Sequence, residues 1–231
     1  MTQPTAPHVH GVRNGHTAAE GDTDTTYWEA RYAEQDRVWS GRPNDLLVRE
    51  VADLPPGAAL EIGCGEGADS IWLATRGWTV TAVDIAATAL QRGAFHAVEA
   101  GVQDRIDFQQ VDVTAAELPA GAYDLVCAQY YHSPAATAEA RQAVLDQAAT
   151  RVGPGGRLLV VGHAEFPDWL PQEDRPDVHF PTTAEVLASL RLPAGWVVET
   201  DELVPREAVS PEGVVGTRAD NVLLVRRGSE A

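Results

Sequence analysis

Two hydrophobic rhythms alternate along the chain from residue 45 onward. Apolar side chains at 46, 47, 48, 51 and 54 fall on one face of a 3.6-residue repeat and predict a helix over 45–54, stopped by Pro55-Pro56-Gly57. The run Ala59-Leu60-Glu61-Ile62 that follows is too short for a helix and reads as a strand. It breaks into the glycine-rich turn Gly63-Cys64-Gly65-Glu66-Gly67, after which helical spacing resumes and ends near Gly77. The exchange recurs: a strand over 79–84, an alanine-rich helix over 86–100 with Gly101 as its C′ residue, a strand over 105–111 and another over 124–129. A helix over 135–151 shows apolar positions at 140, 144, 145, 148 and 152, and a strand over 157–162 follows it. Upstream, Thr26 with Glu29 reads as a helix start; downstream, Thr182 and Thr183 with Glu185 do the same. Residues 196–204 and 221–226 are the final strands, with 205–219 as the loop of an antiparallel hairpin. The order predicts an α/β fold, a Rossmann-like doubly wound seven-stranded sheet, mostly parallel with an antiparallel last strand. One domain over 25–231 is expected to follow a disordered, Thr-, Pro-, Gly- and His-rich tail over 1–24.

The glycine turn is where this pattern acquires chemistry. A strand that feeds a helix through a tight loop presents a ligand site at the strand's carboxyl end, and glycine allows the close approach that a Cβ would block. Gly63, Gly65 and Ala68 also satisfy the dinucleotide fingerprint G-x-G-x-x-G/A. Asp84 ends the next strand, about 20 residues on, where a neighbouring parallel strand delivers a carboxylate to ribose hydroxyls. Together these imply a nucleoside-containing cofactor.

The stretch Glu61-Ile62-Gly63-Cys64-Gly65-Glu66-Gly67 resembles motif I (E/D-x-G-x-G-x-G) of the class I S-adenosylmethionine-dependent methyltransferases. Val111-Asp112-Val113 resembles the acid after the third strand in that family, which meets the adenine. Residues 151–159 resemble its L-x-P-G-G-x-L turn before the fifth strand. Further upstream, Trp28, Arg31 and Tyr32, then Val38, Trp39, Pro43 and Asn44, are similar to a pattern in the small bacterial tellurite-resistance and thiopurine-type methyltransferases, whose N-terminal segment lies over the cofactor. The resemblance implies S-adenosyl-L-methionine as cofactor, S-adenosyl-L-homocysteine as product and a small-molecule methyl acceptor. A soft nucleophile such as a thiol and a natural-product oxygen or nitrogen both fit. A nicotinamide-dependent oxidoreductase and a non-catalytic S-adenosylmethionine-binding protein are the alternatives. Glu61 and the Pro154-Gly155-Gly156 turn speak against the first, and the intact motifs against the second.

The resemblance assigns the cofactor to Trp39, Glu61, Gly63, Cys64, Gly65, Gly67, Asp84, Ile85, Asp112, Val113 and Gln129. Asp84 takes the ribose hydroxyls, or else merely caps the helix behind it. Asp112 and the Val113 amide take the adenine. Trp39 packs on the methionine end, where a sulfonium favours an aromatic face; its alternative is an anchor between helix and sheet. Tyr130, Tyr131 and His132 follow Gln129 at the end of the fourth strand, beside the methyl to be transferred. His132, with Tyr131, is the catalytic candidate because imidazole titrates near neutrality; a core or helix-start histidine is the competing description. Tyr27, Arg42, Tyr130 and His163 are assigned to acceptor binding.

Charge narrows the acceptor. The chain of 231 residues carries 34 acids against 17 basic residues, all arginine, for a net charge of −17. Such a field repels polyanions, and no basic stripe is present, so neither nucleic acid nor membrane is expected as a partner. No apolar run reaches the ~20 residues of a membrane span, and the N-terminus has no secretory pattern. Cys64 and Cys127 cannot form a disulfide framework, which suits a reduced cytoplasm. A monomer or homodimer is expected. His8, His10 and His16, and Asp168, Glu173 and Asp174, lack the spacing of a metal site, so none is assigned. Residues 163–181 are long, acidic and proline-bearing, as a binding loop or lid would be.

Overall fold

The computed structural model describes residues 23–132, 137–210 and 212–229. The N-terminal tail and its three histidines therefore lie almost wholly outside the described residues. The elements run α1 (Asp24–Ala33), α2 (Asp45–Val51), β1 (Ala58–Ile62), α3 (Ala68–Thr75), β2 (Thr79–Asp84) and α4 (Ala87–Glu99). They continue with β3 (Ile106–Gln110), β4 (Tyr123–Gln129), α5 (Ala138–Arg151), β5 (Val152–His163), α6 (Thr183–Ser189), β6 (Trp196–Val209) and β7 (Val215–Arg227). They build a seven-stranded sheet in the order β3-β2-β1-β4-β5-β7-β6. The pairs from β3 through β5 are parallel, and β7 is antiparallel to both of its neighbours. The alternating sequence pattern thus yields the expected mixed sheet. Among the described residues, no helix is long and apolar enough to cross a membrane.

Both faces of the sheet are covered, and the period of two in a strand sorts side chains between them. Leu60, Ile62, Val126, Leu158, Val160, Leu223 and Val225 point to one face and pack with Val144, Leu145 and Ala148 of α5. Ala59, Leu125, Cys127, Leu159, Val161, Val222 and Leu224 point to the other and pack with Leu46, Leu47 and Val51 of α2 and Leu73 of α3. The same alternation carried to the strand ends places Glu61, Gln129, His163, Asp220, Arg218 and Arg206 on the second face. That edge holds the carboxyl ends of the parallel strands.

Three local expectations are corrected. Thr23, not Thr26, caps α1, and the two threonines form a reciprocal capping box across three residues. Glu29 serves a different helix. Its carboxylate accepts the Ala87 and Thr88 amides and caps α4, whose own N-cap Ala86 offers no side-chain acceptor. The hairpin loop is far shorter than 205–219, because β6 and β7 stay paired down to Val209 opposite Val215. Pro205 is tolerated because β6 is the edge strand, and the charged residues read as loop meet each other across the ladder.

Gly93 in the middle of α4 shows how tightly the glycine turn is packed. A Cβ there would lie 2.9 Å from the Phe108 ring and 3.3 Å from the Glu66 backbone, and Gly67 meets the same ring. Helix propensity favours alanine by up to about 1 kcal/mol, but overpacking costs about 1–3 kcal/mol, so the clash wins. Gly93→Ala is expected to destabilise the protein by about 1–2 kcal/mol in denaturant unfolding; an equal or raised midpoint would show that Phe108 yields.

Candidate active site

The turn between β1 and α3 is held in a shape that requires glycine. Gly63, Gly65 and Gly67 have φ of 72°, 54° and 80°. The Gly63 and Cys64 amides donate to the Val83 carbonyl at 2.9 and 3.0 Å. The Gly65 amide donates to Asp84 Oδ2 at 2.8 Å, while Asp84 Oδ1 accepts the Ala86 amide at 2.9 Å. Asp84 is buried; desolvation raises its pKa, and the backbone donors oppose the rise. The capping description of Asp84 is realised, since it fastens the start of α4, and each of its oxygens keeps a further lone-pair direction.

Three other buried acids fix the surroundings. Glu61 accepts the Ser70 hydroxyl, and burial, then the charge of Asp69, pushes its pKa well up. Asp69 accepts the Asn44 amide at 2.6 Å, with its pKa raised to about 6 by burial. Glu66 accepts the Val38 and Trp39 amides and the Arg92 guanidinium, at 2.9 Å for the last. Glu66 thus ties the segment after α1 down onto the glycine turn. The sequence motif contains Glu66 but gives no sign of this duty. Trp39 donates its indole N–H to the Tyr32 hydroxyl at 3.0 Å, and both sit where a Cβ on Gly65 would intrude, at 2.9 Å from the hydroxyl and 3.3 Å from the indole nitrogen. Tyr131 lies in the same way over Gly63, at 3.3 Å. Cys64 is buried beside them, its thiol pKa pushed up by desolvation.

Gln129 ends β4. Its amide nitrogen and oxygen are both buried with no hydrogen-bond partner, apart from electrostatic contact with the Cys127 thiol two residues earlier. On the far side of the turn, Asp112 Oδ1 accepts the Thr114 amide and hydroxyl at 3.0 and 2.7 Å, which leaves Oδ2. Val113 is buried behind it and Ile85 is half-buried next to Asp84. Glycine backbone, Asp84, Asp112 and an unsatisfied Gln129 amide thus ring one edge of the sheet, and this donor set fits an adenosyl amino acid. Tyr27 is half-buried on α1, its ring 5.2 Å from that of Trp28, and Arg42 is half-buried with its amide on the Ser40 hydroxyl.

A second network lies along the same edge over β4, β5 and β7. Asp220, with no exposed surface, faces His163 across the β5–β7 ladder. It accepts His163 Nδ1 at 2.9 Å, the Tyr130 hydroxyl at 2.7 Å and Arg206 Nε. Burial alone would raise its pKa, but the His163 hydrogen bond and the Arg206 charge hold it at about 2. Desolvation lowers His163 to about 4 against the pull of Asp220. At neutral pH the contact is therefore a neutral imidazole donating Nδ1–H to a carboxylate, not an ion pair. His132 is arranged alike: Nδ1 lies 2.6 Å from the Tyr130 carbonyl, which only accepts, so Nδ1 carries the proton. Its pKa too is lowered by burial, although part of the ring stays exposed to solvent. The two rings are 6.0 Å apart, and Tyr130 lies 4.4 Å from His163. Phe180 and Phe166 from the 163–181 segment extend the aromatic wall.

Asp220, Arg206 and Arg218 were missed from sequence. A signal exists: an acid at 220 in register with the apolar 222 and 224 is an acid on a covered face.

Residues 59–156 match the family model for a methyltransferase domain. The chain is 30% identical over 123 residues to the ribosomal RNA small subunit methyltransferase C of Alcanivorax borkumensis, covering 50% of this chain and 35% of that protein. It is 35% identical over 137 residues to the 27-O-demethylrifamycin SV methyltransferase of Amycolatopsis mediterranei, covering 58% and 48%. The chain thus spans less than half the length of either relative. Residues 59–156 are thus similar to a methyltransferase domain, and the fold is that of solved methyltransferase structures. One of these is TehB from Haemophilus influenzae, with a TM-score of 0.63 at 17% identity over 88% of this chain and 67% of that one.

The depressed His163 pKa makes stability pH-dependent. The unfolded chain binds a proton at His163 near pH 6.5 and the folded chain only near 4, so this group's contribution is complete above 6.5 and is lost as pH falls towards 4. Asp69, raised to about 6, acts in the opposite direction, losing its contribution as pH rises through 6. The difference between wild type and His163→Gln therefore isolates the histidine. Its stability gap is expected to widen from pH 4 to 6.5 in thermal unfolding, and a constant gap would contradict a neutral buried imidazole.

Proposed function

We propose that the protein transfers a methyl group from S-adenosyl-L-methionine to a proton-bearing heteroatom of a small molecule, with His163 and His132 as the proton acceptors. The observation that carries this is one edge of the sheet holding both a positive-φ glycine turn and two neutral imidazoles with anchored Nδ1–H groups. Each anchored tautomer leaves Nε2 as an acceptor. When bound, the cofactor supplies a methyl group already activated by its sulfonium. The chain then has to hold the acceptor in line, exclude water and receive a proton.

Gly63, Gly65 and Gly67 let backbone approach the cofactor, while Asp84 serves the ribose hydroxyls. Ile85, Asp112 and Val113 serve the adenine, and the Gln129 amide serves the amino-acid end. Glu61 orients the turn through Ser70. Trp39 and Tyr131, already lying on the turn, close over the cofactor. Tyr130, Tyr27 and Arg42 belong to the acceptor's side. A neutral hydroxyl or thiol that gains a methyl becomes a strong acid, so even an imidazole with a pKa of about 4 takes its proton. The net charge of −17 disfavours an RNA acceptor. A small acceptor carries no such repulsion.

Calorimetric titration with S-adenosylmethionine and S-adenosylhomocysteine tests the cofactor. Both are expected to bind, and Asp84→Ala to weaken them about tenfold or more; an unchanged affinity would remove Asp84 from the site. His163→Gln and His132→Ala are expected to lower turnover about 100-fold or more on a hydroxyl or thiol acceptor at unchanged cofactor affinity. Full activity in both would exclude the imidazoles as bases.

A further inference from the structure

Arg206 of β6 and Arg218 of β7 are direct cross-strand partners. Side chains so placed have Cβ atoms about 5 Å apart, and like charges there repel. Two guanidinium groups on one covered face of a ladder call for a compensating anion. Asp220, two residues along on the same face, answers one of the two charges: Arg206 Nε donates to it, while Arg218 Nε stays 3.9 Å away, beyond hydrogen-bond reach. Arg218 has only 3% of its surface exposed, and burial and then the Arg206 charge lower its pKa to about 10, so it remains a cation at neutral pH. His163 is neutral and adds nothing.

The rest of the surroundings answer that charge only weakly. Arg218 Nη2 donates to the Glu165 carbonyl at 3.2 Å, and the Glu165 carboxylate acts on the guanidinium as the smallest of its influences, from an exposed residue that solvent screens. Asp168 is taken by the Thr217 amide and hydroxyl. Arg218 Nε and Arg206 Nη2 are buried without partners, and so is the indole N–H of Trp169. Trp169 packs on Gly216, where its Cδ1 would be 2.9 Å from a Cβ, and Gly216 lies two residues, about 7 Å, before Arg218 on the same face of β7. All three groups only donate. One face of the β6–β7 hairpin therefore gathers three orphaned buried donors and one excess positive charge beside the His163–Asp220 pair.

We propose that Arg206, Arg218 and Trp169 form a subsite for a carboxylate, and that the methyl acceptor is a small carboxylic acid anchored there with its reacting heteroatom towards His163. A single excess charge matches a monoanionic carboxylate rather than a phosphate dianion, and guanidinium forks suit its two oxygens. This rests on the methyl-transfer reading for what the anchored molecule does, but the anion subsite itself does not.

The full chain, labelled with nitrogen-15, is titrated with benzoate and with its neutral analogue benzamide, and S-adenosylhomocysteine affinity is measured on the same samples. Benzoate is expected to shift the Trp169 indole and Arg218 Nε–H resonances, whereas benzamide leaves them in place. Its affinity is expected to fall about tenfold or more in Arg218→Gln and in Arg206→Gln at unchanged S-adenosylhomocysteine affinity. Arg206 is the less buried of the two, so its variant gives the result even if Arg218→Gln does not fold. No shift with benzoate, or equal shifts with benzamide, means that the donors are satisfied by water alone, and overturns the subsite. If benzoate fails while S-adenosylhomocysteine binds, only the subsite falls. If benzoate binds at the arginines while S-adenosylhomocysteine does not bind, the subsite stands and the methyl-transfer reading falls.

Discussion

The hydrogen bond from the Gly65 amide to Asp84 is the joint on which the rest of this structure turns. It runs from the middle of a left-handed glycine turn to the end of the neighbouring strand, 19 residues away in sequence. The other oxygen of the same carboxylate holds the first turn of α4. One buried acid thus fixes β1, β2, the glycine turn and a helix start relative to one another. Around it the motif repeats with other carboxylates: Glu29 on the amides of α4, Glu66 on Val38 and Trp39, Asp69 on Asn44, and Asp124 on Ala58 at 2.8 Å. Backbone N–H groups that the turns leave unpaired are costly when buried. In this acid-rich chain, side-chain carboxylates receive them. A part of the negative charge is therefore internal scaffolding, and solubility is not its whole explanation.

The strand and helix order could be read from periodicity because both faces of the sheet are covered and each strand has to keep its apolar residues in phase. The capping box at Thr182 and Glu185 is also local, and it forms as read. Thr26 misled because Thr23 and Thr26 stand three apart and each can play the cap; α1 extends to the earlier one. The segment 205–219 looked like a loop because a strand there places Arg206 opposite Arg218 with one acid, Asp220, beside them, and pairing of that kind leaves no periodic trace. The same holds for the network around Asp220. His163, Tyr130 and Arg206 reach Asp220 from 57, 90 and 14 residues away. The glycine turn, by contrast, announces itself because its constraint falls on consecutive residues.

Tyr130 connects the two halves. It is one of two non-glycine residues with positive φ among those described, at 51°. A left-handed residue of this size costs about 1–3 kcal/mol and persists only where its neighbours over-determine it. Here they do: the amide donates to the Val161 carbonyl at 2.8 Å, the carbonyl receives His132, and the hydroxyl is held by Asp220. The reversal separates consecutive tyrosines. Tyr130 packs with the cluster under α2 and reaches the Asp220 network, while Tyr131 packs with the cluster under α5 and lies over Gly63. A regular strand ending would also split neighbours between faces, but it would carry both away along the strand axis. The turn keeps them at the sheet edge, one on each side of the place where β4 stops.

That arrangement gives the two networks different chemical characters from the same residue types. At the glycine turn Asp84 and Asp69 are filled by backbone amides, with their pKa values raised by burial, so they form a shaped acceptor surface. At Asp220 the carboxylate is filled by side chains that carry charge or protons, and its pKa is depressed. Backbone donors cannot be exchanged, so the first network suits a ligand that is always the same. Side-chain donors can differ from one protein to the next without altering the sheet. The sheet edge is thus divided, with the replaceable chemistry gathered where β5, β6 and β7 meet.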